Sequence, residues 1–175
     1  MKCEWLTDTI IEAYFLTFVE RYKLFVMNPN QAKSVYETGN TISQIKKDLF
    51  QFDFVTGAVN VKEGCFHHWT LFFISIKTFE IFYLNPLGTS SFELKKALDQ
   101  WKIFVKKRES LKRSTWITKL VEHTTQDDDS SCGAYVCFFL KCLLEKNYAS
   151  LNSNLDTKDF RKNIEDQIMS HSSKL

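Results

Sequence analysis

The stretch FVTGAVNVKEGCFHHWTLFFISIKTFEIFYL, residues 54–84, decides the fold. β-Branched and aromatic residues crowd three runs in it, FVTGAVNV, HWTLFFISI and TFEIFYL, and turn-prone residues separate them. Side chains of this kind suit a pleated, buried surface, so the stretch predicts three neighbouring strands. Toward the N-terminus, WLTDTIIEAYFLTFVERY (5–22) carries Ile10, Ile11, Tyr14, Phe15, Phe18 and Val19 at helical spacing after Asp8, a plausible N-cap. It predicts one buried helix. Residues 29–57 give a mixed signal, with a loop expected near NPNQ and a short helical pattern in ISQIKKDLF.

Toward the C-terminus, Asn85, Pro86 and Gly88 break the strand pattern. SFELKKALDQWKIFVKKRES (91–110) then has Leu94, Leu98, Trp101 and Phe104/Val105 at helical spacing. TWITKLVEHT (115–124) resembles a further strand, and SCGAYVCFFLKCLLEK (131–146) a buried helix. A final amphipathic helix over 156–170 is capped by Asp156, and a polar tail covers 171–175. This order predicts a single α+β domain over residues 1–175, with helices packed on a mainly antiparallel sheet.

Composition limits the function. A chain of 175 residues, 44% hydrophobic and 15% aromatic, can bury one sizeable core. Lys and Arg total 23 against 21 for Asp and Glu, and a formal charge of +2 offers no broad attraction to nucleic acid or membranes. The apolar run AYVCFFL is far shorter than the ~20 residues that span a bilayer. Cys3, Cys65, Cys132, Cys137 and Cys142 are odd in number and follow no signal-like start, which argues for free thiols in a reducing, intracellular compartment.

One thiol stands apart. In QDDDSSCGAYVC (126–137), Cys132 has a polar flank on one side and an apolar helical run on the other, which puts it at a helix N-terminus. Free N–H groups and the helix dipole stabilise a thiolate there, making Cys132 the best candidate nucleophile; a capping turn with an incidental cysteine is the plainer reading. Gly133 has no side chain to obstruct a carbonyl approaching the sulfur. The base would come from His67, His68, His123 or His171. The 67–68 pair is best placed, and strand alternation lets at most one of the two meet the thiol. Cys132, Cys137 and Cys142 are spread around a helix and no C-x-x-C pair exists, so no metal or other cofactor is expected.

WLTD at 5–8, HW at 68–69, NPLG at 85–88, and Gln126 followed by CG at 132–133 occur in one order that resembles the SUMO-specific (ubiquitin-like-protein-specific) protease family over residues 5–145. The resemblance implies a papain-like cysteine protease fold. It assigns Cys132 as nucleophile, His68 as general base and acid, Asn85 as the residue orienting the imidazole, and Gln126 as an oxyanion donor. Trp5 and Trp69 would close over the Gly-Gly end of a modifier, and Asp8 would meet a basic residue on the modifier's surface. The implied reaction is cleavage after the C-terminal Gly-Gly of a ubiquitin-like modifier, SUMO first and ubiquitin next, releasing it from lysine conjugates. The implied enzyme is a monomer.

Two positions depart from the family pattern. Asn85 stands where relatives usually carry aspartate; its oxygen can still accept from the imidazole, but the negative charge is lost. A catalytically weak or dead modifier-binding module is therefore the alternative. Ser130 and Ser131 replace the usual aromatic residue and aspartate before the nucleophile, with Asp127, Asp128 and Asp129 upstream. These carboxylates raise the thiol pKa unless they face solvent or a cationic substrate. They form either a solvated loop or a recognition site for a basic tail, with Asp128 the candidate. The terminal SKL suggests a peroxisomal address or a plain polar tail, and KKRESLKR (106–113) a nuclear signal or a basic helix end.

Overall fold

A computed structural model of the chain describes residues 5–40, 48–63, 66–108 and 115–173. Cys3, Cys65, most of KKRESLKR, the first part of ISQIKKDLF and the last two residues of SKL lie outside the described residues.

The three strands expected in residues 54–84 form the middle of a five-stranded sheet ordered β1-β2-β3-β4-β5. They are β2 (Phe54–Glu63), β3 (Phe66–Ser75) and β4 (Glu80–Leu84). β2 and β3 pair antiparallel over ten residues, from Phe54 opposite Ser75 to Glu63 opposite Phe66, and β3 pairs antiparallel with β4. The edges are short and parallel: β1 (Leu24–Val26) on β2, and β5 (Ile117–Thr118) on β4. The sheet is thus mixed, although its long pairings are antiparallel.

Helices cover both faces, which explains why β3 reads as an unbroken apolar run rather than an alternating one. Trp69, Leu71 and Phe73 enter a core with α1 (Asp8–Leu16), α5 (Cys132–Leu144) and α6 (Thr157–Ser172). Phe72 and Ile74 enter a second core with α3 (Pro29–Thr38) and α4 (Ser91–Lys106). Trp101 is fully enclosed there, edge-on to both Phe72 and Trp116.

Several local expectations change. The single helix expected over 5–22 divides into α1 and α2 (Val19–Tyr22), because the Thr17 hydroxyl donates to the Tyr14 carbonyl at 2.7 Å where α1 ends. Thr7, not Asp8, is the N-cap of α1: its side chain accepts from the Ile10 N–H, while Asp8 occupies the first turn. The loop expected at NPNQ is the start of α3, where Asn28 and Gln31 cap each other reciprocally behind Pro29. α3 can sit close on the sheet because Gly57 has no Cβ; one would lie 2.5 Å from the Ala32 Cβ. The strand expected over 115–124 is confined to β5, and the chain beyond it runs to α5. Asp156 caps α6 through the Lys158 and Asp159 N–H groups.

Candidate active site

Cys132 is the first residue of α5, the buried helix that packs on β3. Its thiol is enclosed, with the residue 1% exposed. Burial pushes the thiol above its ordinary value, and Asp128 adds to the rise. The backbone N–H groups of Trp69, Gly133 and Cys132 itself point at the sulfur and pull the other way without cancelling the burial. Burial thus opposes the thiolate that the helix terminus favours. The Trp69 N–H places the sulfur against β3 at the residue that follows His68.

The two adjacent histidines separate as strand alternation requires. His67 is exposed and its Nδ1 meets Asn60 Oδ1 at 2.8 Å. His68 is buried, and its Nε2 lies 2.9 Å from Asn85 Oδ1. Asn85 follows β4 and opens the turn closed by the Gly88 N–H on the Asn85 carbonyl at 2.7 Å. Gly88, at φ 105°, occupies backbone space that favours glycine. The orientation of the Asn85 carboxamide is fixed by groups with one hydrogen-bonding role each. The Leu87 N–H can only donate, and does so to Oδ1 at 2.9 Å; the Glu93 carboxylate accepts from Nδ2 at 2.8 Å. Oδ1 thus faces the imidazole and His68 Nε2 carries the proton, so in the neutral ring the lone pair lies on Nδ1.

Gln126 reaches the site from the segment before α5. Its backbone N–H donates to the Pro86 carbonyl at 2.8 Å, tying this segment to the turn that carries Asn85. One hydrogen of its side-chain amide goes to the Asp128 carbonyl at 2.6 Å, while Oε1 is buried without a partner. An amide nitrogen has two hydrogens, so the second remains for a ligand oxygen.

Both oxygens of Asp128 are engaged within its own loop. Oδ1 accepts from the Ser130 and Ser131 N–H groups, each at 2.7 Å, and Oδ2 from the Ser131 hydroxyl at 2.6 Å. Burial alone would raise this carboxyl, but those bonds outweigh it and hold it below the usual carboxylate range. Asp128 thus shapes the turn into α5, with Asp127 and Asp129 exposed beside it. Arg161 of α6 braces the same turn from behind, donating to the Ser130 carbonyl at 3.0 Å.

Trp5, Asp8 and Trp69 line one pocket of about 490 Å³ with Leu6, Asn60 and His67. Trp69 is buried and anchored by its indole N–H on the Leu6 carbonyl at 3.2 Å, whereas Trp5 is 43% exposed. Gly133 does not open space for a substrate carbonyl as expected. Its missing Cβ makes room for α1 and the residues before it, since a Cβ would stand 2.8 Å from Leu6 Cβ and 3.2 Å from Ile11 Cδ1. Among the described residues, no three His, Cys, Asp or Glu side chains gather as a metal site would require.

Glu93 and Thr89 are not among the residues singled out from the sequence, and His123, one of the candidate bases, is a neighbour of the Asn85 backbone. Thr89 accepts from the Asn85 N–H at 2.9 Å. His123 makes contacts of 3.0 Å to the Asn85 and Val121 carbonyls. The S-x-x-E pattern of Ser90 and Glu93 was a visible signal for a helix cap, but not for contact with Asn85.

A buried thiol at a helix start, held against a central strand at the residue that follows an oriented imidazole, fits the papain-like class of cysteine peptidase. Residues 9–174 match the model of the Ulp1 protease family, C-terminal catalytic domain, and the chain belongs to that family as a cysteine peptidase. No curated protein matches it. Among solved structures, the C-terminal Ulp1 protease domain in complex with Smt3, the yeast ortholog of SUMO, is 22% identical with a TM-score of 0.72; the alignment covers 98% of this chain and 79% of that one. Chlamydia trachomatis effector protein Cdu1, solved bound to ubiquitin, is 13% identical with a TM-score of 0.60, covering 98% of this chain and 93% of its own. The ASFV pS273R protease is 17% identical with a TM-score of 0.64, covering 95% and 68%. These likenesses show a shared fold.

Proposed function

We propose that the protein cleaves after the C-terminal Gly-Gly of a ubiquitin-like modifier, SUMO in the first place and ubiquitin next, freeing it from lysine conjugates or trimming its precursor. In this reading His68 takes the Cys132 proton as the sulfur attacks the glycine carbonyl. The oxyanion is met by the second Gln126 amide hydrogen and the Cys132 backbone N–H. Collapse breaks the carbon–nitrogen bond, and the departing amine takes its proton from His68. Water then attacks the thioester, returning the thiol and releasing the modifier as a carboxylate. The pocket lined by Trp5 and Trp69 receives the modifier's tail; flat indoles suit glycine because any Cβ would widen the chain.

The observation that carries this reading is the oriented His68–Asn85 pair, with His68 one residue before Trp69 on β3, whose backbone N–H meets the Cys132 sulfur. Its experiment is hydrolysis of SUMO and ubiquitin bearing a C-terminal fluorophore, by wild type and by His68→Ala. Wild type is expected to turn over SUMO faster than ubiquitin, and His68→Ala to lose about 10³-fold in kcat, the range of a general base. Tight binding of both modifiers with no turnover would instead make the chain a modifier-binding module.

A further inference from the structure

We propose that Glu93 is a positioning residue of this centre. Its carboxylate sets which end of the Asn85 carboxamide faces His68 and restores, one hydrogen bond further out, the negative charge that an asparagine lacks. The proposal rests on the peptidase reading above.

An aspartate beside an imidazole presents an accepting oxygen whichever way it rotates. An asparagine has one accepting end and one donating end. Turned over, Asn85 would direct its NH₂ at His68 Nε2. Nε2 would then have to give up its proton and accept, and Nδ1 would carry the hydrogen and lose the lone pair a base needs. An asparagine at this position therefore works only where something decides its orientation. Glu93 does so from the first turn of α4, with both carboxylate oxygens engaged. Oε2 accepts from the Ser90 N–H and hydroxyl, each at 2.7 Å, and Oε1 accepts from Asn85 Nδ2 at 2.8 Å. The Leu87 N–H supports the same orientation from the turn. The helix cap holds the carboxylate, the carboxylate holds the amide, and the amide holds the imidazole. A negative oxygen on Nδ2 also polarises the carboxamide, strengthening Oδ1 as an acceptor.

If Glu93 served only the helix, Glu93→Gln would be silent, because glutamine completes a capping box as glutamate does. A positioning role predicts otherwise. When the oxygen of the introduced glutamine keeps the Ser90 N–H, its NH₂ points at the Asn85 NH₂, donor against donor, and Asn85 turns over. The experiment compares wild type, Glu93→Gln, Asn85→Asp and the double variant by kcat and KM on the fluorogenic modifier. It adds two readouts that need no modifier: the rate of Cys132 alkylation by iodoacetamide at neutral pH, and the ¹⁵N NMR tautomer of His68.

Glu93→Gln is expected to lower kcat by roughly 10- to 100-fold with KM unchanged, the size of loss seen when the outer hydrogen-bond partner of a metal-bound imidazole is removed. Its His68 proton should move toward Nδ1 while thermal stability holds. Asn85→Asp alone should also lose activity, because two carboxylates would stand at hydrogen-bond distance. In the double variant the introduced glutamine donates its NH₂ to the introduced aspartate, and the rate should recover to at least the wild-type value. Equal kcat and an unchanged tautomer in Glu93→Gln overturn the proposal, as does an Asn85→Asp variant that matches the double variant. A wild type inert toward every modifier would count against the peptidase reading alone, since the tautomer and alkylation data still decide the role of Glu93.

Discussion

The two sides of the active site are held in different ways. On the imidazole side, each polar atom of Asn85 is answered: Oδ1 by His68 and Leu87, Nδ2 by Glu93, the N–H by Thr89 and the carbonyl by Gly88 and His123. On the sulfur side, the thiol is buried and pushed toward its neutral form, Gln126 has an oxygen with no partner, and the turn into α5 is held by the Asp128 carboxylate and Arg161. In the proposed mechanism, then, the base is organised before substrate arrives, whereas the thiol and the Gln126 amide are only partly so.

This contrast can be broken at each side. Disturbing the organised side through Glu93→Gln, described above, should change kcat and the His68 tautomer together. On the sulfur side the larger effect is expected at Gln126. Gln126→Ala should lower kcat about 10²-fold with KM little changed, as loss of one oxyanion donor does; steady-state kinetics on the fluorogenic modifier would show it. A loss confined to KM would mean that Gln126 meets the ground state and not the oxyanion.

A smaller effect is expected at Asp128, where the consequence is for stability. Asp128→Ala leaves the Ser130 and Ser131 N–H groups without their acceptor and should cost about 1 kcal/mol in denaturant unfolding. Because hydrogen bonds hold this carboxyl below its ordinary value in the folded chain, its contribution is present above the unfolded pKa of ~3.9 and fades as pH falls through the folded value. The gap between wild type and variant should therefore close in acid. A gap that is constant with pH would show that the carboxylate charge plays no part.

The sequence disclosed elements where one residue type dictates one outcome, and it failed where tertiary partners decide. The change from DDDSS to an apolar run marked the start of α5 at Cys132, and strand alternation separated His67 from His68 before any coordinates. The Asn28-Pro29 start of α3 carried a capping signal that was passed over as a loop. The break after Leu16 had no glycine or proline to announce it. Asp128 was legible as a charge near the thiol, but not as the acceptor that holds the Ser130 and Ser131 N–H groups. Glu93 was legible as a cap and not as a partner of Asn85, since Oε1 meets that residue only once α4 has folded back onto the end of β4.

The central claim is that Cys132, alone among the five cysteines, is the working thiol. Tandem mass spectrometry of the adduct formed at neutral pH with SUMO or ubiquitin carrying a C-terminal electrophile tests it most directly. The expected result is modification of Cys132 only, and none in Cys132→Ala. An adduct on Cys3, Cys65, Cys137 or Cys142, or labelling that persists in Cys132→Ala, would contradict it.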